Sequence, residues 1–92
     1  MKIRLRVLGS FRNFLGDGQH EVDLLDGSGL PELMEWIHTR WGESLPFELW
    51  DAKARRAASS VLVMIDGRRA ETPGVRLADG QEVILMMLVV GG

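Results

Sequence analysis

The stretch that most constrains this chain is residues 83–92, Val-Ile-Leu-Met-Met-Leu-Val-Val-Gly-Gly. The apolar run is long enough for a strand, yet it passes into two glycines with no charge, cap or turn, where strands ordinarily lead into a turn. With Gly92 as the terminus, the chain ends in a carboxylate on a tip without side chains. With 11 glycines among 92 residues, a terminal pair arises by chance in roughly one chain of this composition in a hundred. The pair therefore directs attention to the tail without assigning it a role.

A chain of 92 residues supports one small domain with a single core, 1–92, and no deep internal cleft. A net charge of −2 argues against a nucleic-acid binder, which carries a basic patch and a high pI. The absence of cysteine excludes disulfides, cysteine-ligated zinc and a thiol nucleophile, so any thiol needed for sulfur chemistry comes from a partner. Met1 leads directly into a charged strand-like segment, and no apolar run reaches the length of a membrane span. The expectation is a soluble cytoplasmic protein that binds neither membrane nor nucleic acid.

Residues 2–8 alternate, with Ile3, Leu5 and Val7 on one face and Lys2, Arg4, Arg6 and Leu8 on the other, which predicts a half-buried strand with a basic outer face. Phe11–Leu15 is a short apolar connector. Gly16-Asp17-Gly18 signals a tight turn rather than a phosphate loop, since no helix opens behind it. A second alternating strand follows, with His20, Val22 and Leu24 against Gln19, Glu21 and Asp23.

Pro31 marks a helix entry with Ser28 or Gly29 as its cap. Leu30, Leu33, Met34, Ile37 and Trp41 form one apolar stripe that would cover a sheet, Trp36 borders it, and Gly42 suits the position just past the helix end. His20 and His38 lie in different elements without further ligands, so they read as surface or edge residues and no metal site is expected. Between Glu43 and Ser60, Pro46 breaks the chain, Phe47, Leu49 and Trp50 give an apolar anchor, and Ala52–Ala58 has high helix propensity, so a short helix or an ordered excursion is expected. Lys53, Arg55 and Arg56 then read as a solvated face. Val61–Ile65 is a continuous apolar run, as in a strand interior to a sheet. Asp66-Gly67 turns it, and a loop with a second tight turn at Asp79-Gly80 leads into the final strand. This order predicts an α+β fold, a mixed sheet of four or five strands with one main helix across one face.

The order of elements matches the ubiquitin-like β-grasp. The segment Leu77-Ala-Asp79-Gly80-Gln-Glu82-Val83, a short strand and then Gly91-Gly92 together resemble the MoaD/ThiS family of sulfur-carrier proteins. Phe11-Arg12-Asn13-Phe14-Leu15-Gly16 and Ile65-Asp66-Gly67 are also similar to MoaD-type chains, and the excursion after the helix looks more like the MoaD branch than the shorter ThiS branch. One departure is plain: MoaD-type chains often carry a Pro-Pro pair shortly before the diglycine, whereas this sequence has Met87-Leu88.

The resemblance implies that the Gly92 carboxylate is adenylated by a ubiquitin-activating-like adenylyltransferase that uses ATP. It is then converted to a thiocarboxylate, which delivers sulfur to a synthase subunit in cofactor biosynthesis of the molybdopterin type. The chain would be the small subunit of such a complex: a substrate and carrier, with no catalytic residues and no bound cofactor. The chemistry of the tail agrees. A carboxylate is a poor acyl donor until adenylated in a closed site, and residues 89–92, Val89-Val90-Gly91-Gly92, read as a flexible tail whose two glycines can thread a narrow channel.

The alternation adds a docking surface. With Val83 and Leu85 facing the helix, Ile84, Met86 and Leu88 face outward beside Leu8, Arg4 and Arg6, an exposed apolar patch of the kind that marks an interface, with Arg68 and Arg69 as charges at its rim. Two other readings stay open: a ubiquitin-like modifier joined to other proteins through Gly92, and a plain β-grasp interaction module.

Overall fold

The computed structural model describes residues 1–87. Five strands form one mixed sheet: β1 (Lys2–Val7), β2 (His20–Asp23), β5 (Val61–Ile65), β6 (Arg68–Arg69) and β7 (Glu82–Met87), in the order β2-β1-β7-β5-β6. Only β1 and β7 run parallel, and the other neighbours are antiparallel. Between β1 and β2 lie a 3₁₀ turn (Gly9–Phe11) and one helical turn, α1 (Arg12–Leu15). The main helix is α2 (Leu30–Trp41). A separate two-stranded hairpin, β3 (Trp50–Asp51) with β4 (Arg56–Ala57), follows it. The arrangement is an α+β β-grasp, as the order of elements predicts.

Strand alternation builds the core. Ile3, Leu5 and Val7 of β1, Val22 of β2, and Val83 and Leu85 of β7 are buried against Leu30, Leu33, Met34 and Ile37 of α2. The helix starts at Gly29, whose N–H is accepted by Glu32 Oε1 at 2.7 Å, and Pro31 occupies the first turn; its missing N–H costs nothing there. Gly29 also touches the 70s loop. A Cβ at this position would lie 2.7 Å from the Val75 carbonyl oxygen, which accepts the Leu30 N–H at 2.9 Å.

Two Asp-Gly turns set the position of β7. At Asp66-Gly67 both central residues have positive φ, 49° and 80°, the geometry a tight hairpin demands and glycine supplies. The Asp66 carboxylate accepts the Glu82 N–H at 2.9 Å and so binds the turn to the start of β7. At Asp79-Gly80 the Asp79 carboxylate accepts the Lys2 N–H, and the Lys2 carbonyl accepts the Gly80 N–H, each at 2.7 Å. This exchange aligns β7 with β1 in the parallel register Arg4 opposite Glu82 through Val7 opposite Leu85.

Of the short helix or ordered excursion expected at Ala52–Ala58, the excursion forms: β3 and β4 pair there, Trp50 opposite Ala57 and Asp51 opposite Arg56, and no helix spans these residues. Packing overrides propensity, since Leu45, Leu49 and Trp50 are all buried in the common core and a hairpin lets Trp50 reach it. Arg55, at φ 58°, turns the hairpin and pairs with Glu35 of α2, so it is not part of a solvated helix face. His20 lies on the edge strand β2, as expected, with Nε2 2.8 Å from the Leu15 carbonyl oxygen and its ring edge-on to Trp36 and Trp41. His38, by contrast, is not a plain surface residue: its Nδ1 accepts the indole N–H of Trp50 at 3.1 Å.

Candidate functional site

The sheet face away from α2 is where the sequence places its docking residues. Along β7 the inward side chains are Val83, Leu85 and Met87, which pack on the core, so Ile84 and Met86 point outward by the period of two. Cross-strand partners share a face. Arg6 lies opposite Ile84 and Arg4 opposite Glu82 on the β1 side. On the β5 side Leu62 lies opposite Met86 and Met64 opposite Ile84. The result is a half-buried apolar patch of Leu62, Met64, Ile84 and Met86. Leu8 continues β1 in extended conformation, its N–H bonded to the Leu85 carbonyl at 2.9 Å, which carries the alternation on toward Met86.

The patch is edged by cations. Arg4 donates to the Gly80 carbonyl at 3.2 Å, and Arg6 Nη1 stands 3.7 Å from Glu82 Oε2. Further toward the β2 edge the charge is matched: Lys2 Nζ meets Glu21 at 2.8 Å and Asp23 at 3.2 Å, and its hydrogen bonds to these carboxylates raise its pKa. The two β6 arginines divide. Arg69 lies opposite Met64 and therefore flanks the patch, whereas Arg68 lies opposite Ile65, on the helix side of the sheet.

Leu62 and Met64 escape sequence reading because all five residues of Val61–Ile65 are apolar. A run with no polar alternate looks like a strand buried on both faces, yet each of its residues is only half-buried. The signal that could have separated them is the pairing itself, since Met64 faces the strand that carries Met86. Leu88, Val89, Val90, Gly91 and Gly92, which the sequence assigns to the docking strand and reactive arm, lie outside the described residues.

The patch presents apolar side chains edged by arginines, one of which, Arg6, is paired with Glu82. Among the described residues, no group of three or more His, Asp or Glu side chains is placed to hold a metal ion, and no helix is long and apolar enough to cross a membrane.

No protein-family model and no curated protein matches the sequence. Solved structures do. The chain superposes on SAMP1 from Haloferax volcanii with a TM-score of 0.80 at 16% identity, covering 100% of both chains. On putative molybdopterin converting factor subunit 1 from Pyrococcus furiosus the TM-score is 0.72 at 25% identity, over 97% of this chain and 99% of that one. It also matches a chain of the protein–protein complex of subunits 1 and 2 of molybdopterin-converting factor from Helicobacter pylori, with a TM-score of 0.64 at 16% identity and full coverage of both. The class of fold is thereby defined: this chain has the ubiquitin-like β-grasp fold. Within that class it has the fold of the MoaD/ThiS ubiquitin-like proteins, and the resemblance read from the sequence stands.

Proposed function

We propose that this chain is a sulfur carrier whose working group is the Gly92 carboxylate. One observation carries the reading: a strand that lies beside β1 in the sheet centre, with an apolar outer face, runs toward a sequence ending in Gly91-Gly92. The likeness to subunit 1 of molybdopterin converting factor supports it, as does the existence of a related chain in complex with subunit 2.

In this reading a ubiquitin-activating-like adenylyltransferase docks on Leu62, Met64, Ile84, Met86 and Leu8 and admits residues 89–92 to its site. A carboxylate oxygen of Gly92 attacks the α-phosphorus of ATP, pyrophosphate leaves, and an acyl-adenylate forms. Hydrosulfide delivered by a partner then attacks the acyl carbon and displaces AMP, giving the thiocarboxylate with no change of oxidation state. This passes its sulfur to an acceptor held by a synthase subunit, most simply one of the molybdopterin type. The chain contributes the arm and the docking surface, and the partner contributes the catalytic groups. It binds no cofactor itself and works in the cytoplasm.

A second reading is favoured by a specific likeness. SAMP1 is a small archaeal modifier protein, and the same acyl-adenylate, attacked by a lysine amine instead of sulfur, would join Gly92 to another protein. Both readings share the activation step. It is tested by removing Gly92 or adding one residue after it: ATP–pyrophosphate exchange with the cognate adenylating enzyme is expected to disappear while the melting temperature is unchanged. A shortened chain that is still activated would overturn both.

A further inference from the structure

The 43–60 excursion is held to α2 by two side-chain links that share one face of the helix. Trp50, with 1% of its surface exposed and the largest of the fully buried side chains, donates its indole N–H to His38 Nδ1 at 3.1 Å, and the two rings are nearly parallel, 24° apart. An indole nitrogen is a donor only. The bond therefore requires a lone pair on Nδ1 and fixes the ring as the neutral tautomer with its proton on Nε2. The second link is Arg55, whose Nε donates to Glu35 Oε2 at 2.8 Å and whose Nη2 donates to Oε1. Glu35 and His38 are three residues apart, neighbours on the helix surface.

Gly42 makes room for this arrangement. It follows the helix with φ −52°, which any residue adopts, so backbone freedom does not explain a glycine there. Space does: a Cβ at position 42 would stand 2.3 Å from His38 Nδ1. The imidazole sits where a larger residue would displace it.

From this geometry we infer that the His38–Trp50 pair is a proton-operated latch, closed when His38 is neutral and released when Nδ1 takes up a proton. Protonation turns the acceptor into a second N–H aimed at the indole N–H, and a buried donor loses its partner. The charged groups near the ring are Glu35 one helical turn away and Arg55 from the hairpin, with Glu43 lining the same hollow, whereas Arg40 turns its guanidinium away onto the Trp36 ring, 3.8 Å from its centroid. The imidazolium attracts the Glu35 carboxylate and competes with Arg55 for it, so both links weaken together. Release loosens β3–β4 and the turn beyond, where the Val61 N–H binds the Ala58 carbonyl at 2.9 Å. Val61 is the cross-strand partner of Met87, so the latch bears on the strand that carries the tail.

The test is amide exchange of the full chain at pH 7.5 and pH 5.5, corrected for intrinsic rates, with NMR of the His38 ring nitrogens reporting its tautomer. The Ala58 N–H, bonded to the Leu49 carbonyl across the hairpin, is expected to lose protection about tenfold on acidification, the ratio set by stranding one buried donor, while the Leu8 N–H in the sheet keeps its protection. His38→Asn, which offers an amide oxygen that does not titrate, is expected to abolish the pH effect. Gly42→Ala is expected to open the hairpin already at pH 7.5. An Ala58 response equal to that of Leu8, the same pH effect in His38→Asn, or a neutral His38 ring protonated on Nδ1 would each overturn the inference.

Discussion

Met64 and Ile84 face each other across the β5–β7 pairing, both turned away from the helix, and so join two strands into one apolar outer surface. A monomer gains little by leaving such side chains half open to water, and methionine adapts to more than one partner. The charge pattern sharpens the assignment, because lysine–carboxylate pairs neutralise the β2 side of this face while Arg4, Arg6 and Arg69 border its apolar part.

Met86→Glu or Met64→Glu should therefore separate binding from folding. Neither side chain is in the core, so stability should change by less than about 1 kcal/mol. Affinity for the adenylating partner should fall at least tenfold, as expected for a charge placed in the centre of an apolar interface. Urea titration and calorimetric binding, run side by side, check the two halves.

Two glycines should resist substitution for opposite physical reasons. At Gly80, φ is 85° with open space around it, so Gly80→Ala strains the backbone and should cost about 1–3 kcal/mol. Gly29 has an ordinary extended backbone, but its Cβ would press on the Val75 carbonyl, and Gly29→Ala should cost a similar amount, about 1–3 kcal/mol, by overpacking. Gly80→Asn, which tolerates positive φ, should recover part of the loss at that position, whereas Gly29→Asn should not. Chemical denaturation of the four variants distinguishes strain from clash.

The Glu35–Arg55 pair predicts an acid-side effect of definite sign. Hydrogen bonding from Arg55 lowers the Glu35 pKa, so the pair's stabilisation is present above the unfolded carboxylate value and fades as pH falls through the folded one. Arg55→Ala should lower the melting temperature slightly at neutral pH, and the two curves should converge in strong acid. Lys2 works in reverse: its pKa is raised by Glu21 and Asp23, so its contribution is whole below the unfolded lysine value and fades as pH rises through the folded one. Both pairs are exposed and salt-screened, so the effects should shrink in high salt.

Much of this molecule is legible in its sequence because its strands advertise themselves by alternation. Ile3, Leu5 and Val7 against Lys2, Arg4 and Arg6 give β1 and its faces directly, and the stripe Leu30, Leu33, Met34 and Ile37 gives the helix. Alternation fails where both faces are apolar, which is why Leu62 and Met64 of the outer apolar patch are missed. Propensity fails at Ala52–Ala58, where burial of Trp50 imposes a hairpin on helix-forming residues. The role of Gly42 is hidden for a third reason: its position past the helix end is predictable, but the demand for space comes from the His38 ring and exists only in three dimensions.

The claim that Gly92 is an activated acyl group is tested most directly by intact-mass analysis of the protein purified from its own cells. Replacement of one terminal oxygen by sulfur is the result the sulfur-carrier account predicts. Higher-mass conjugates through Gly92 would support the modifier reading instead. A free carboxylate that persists when the cognate adenylating enzyme, ATP and a sulfur donor are supplied would contradict the account.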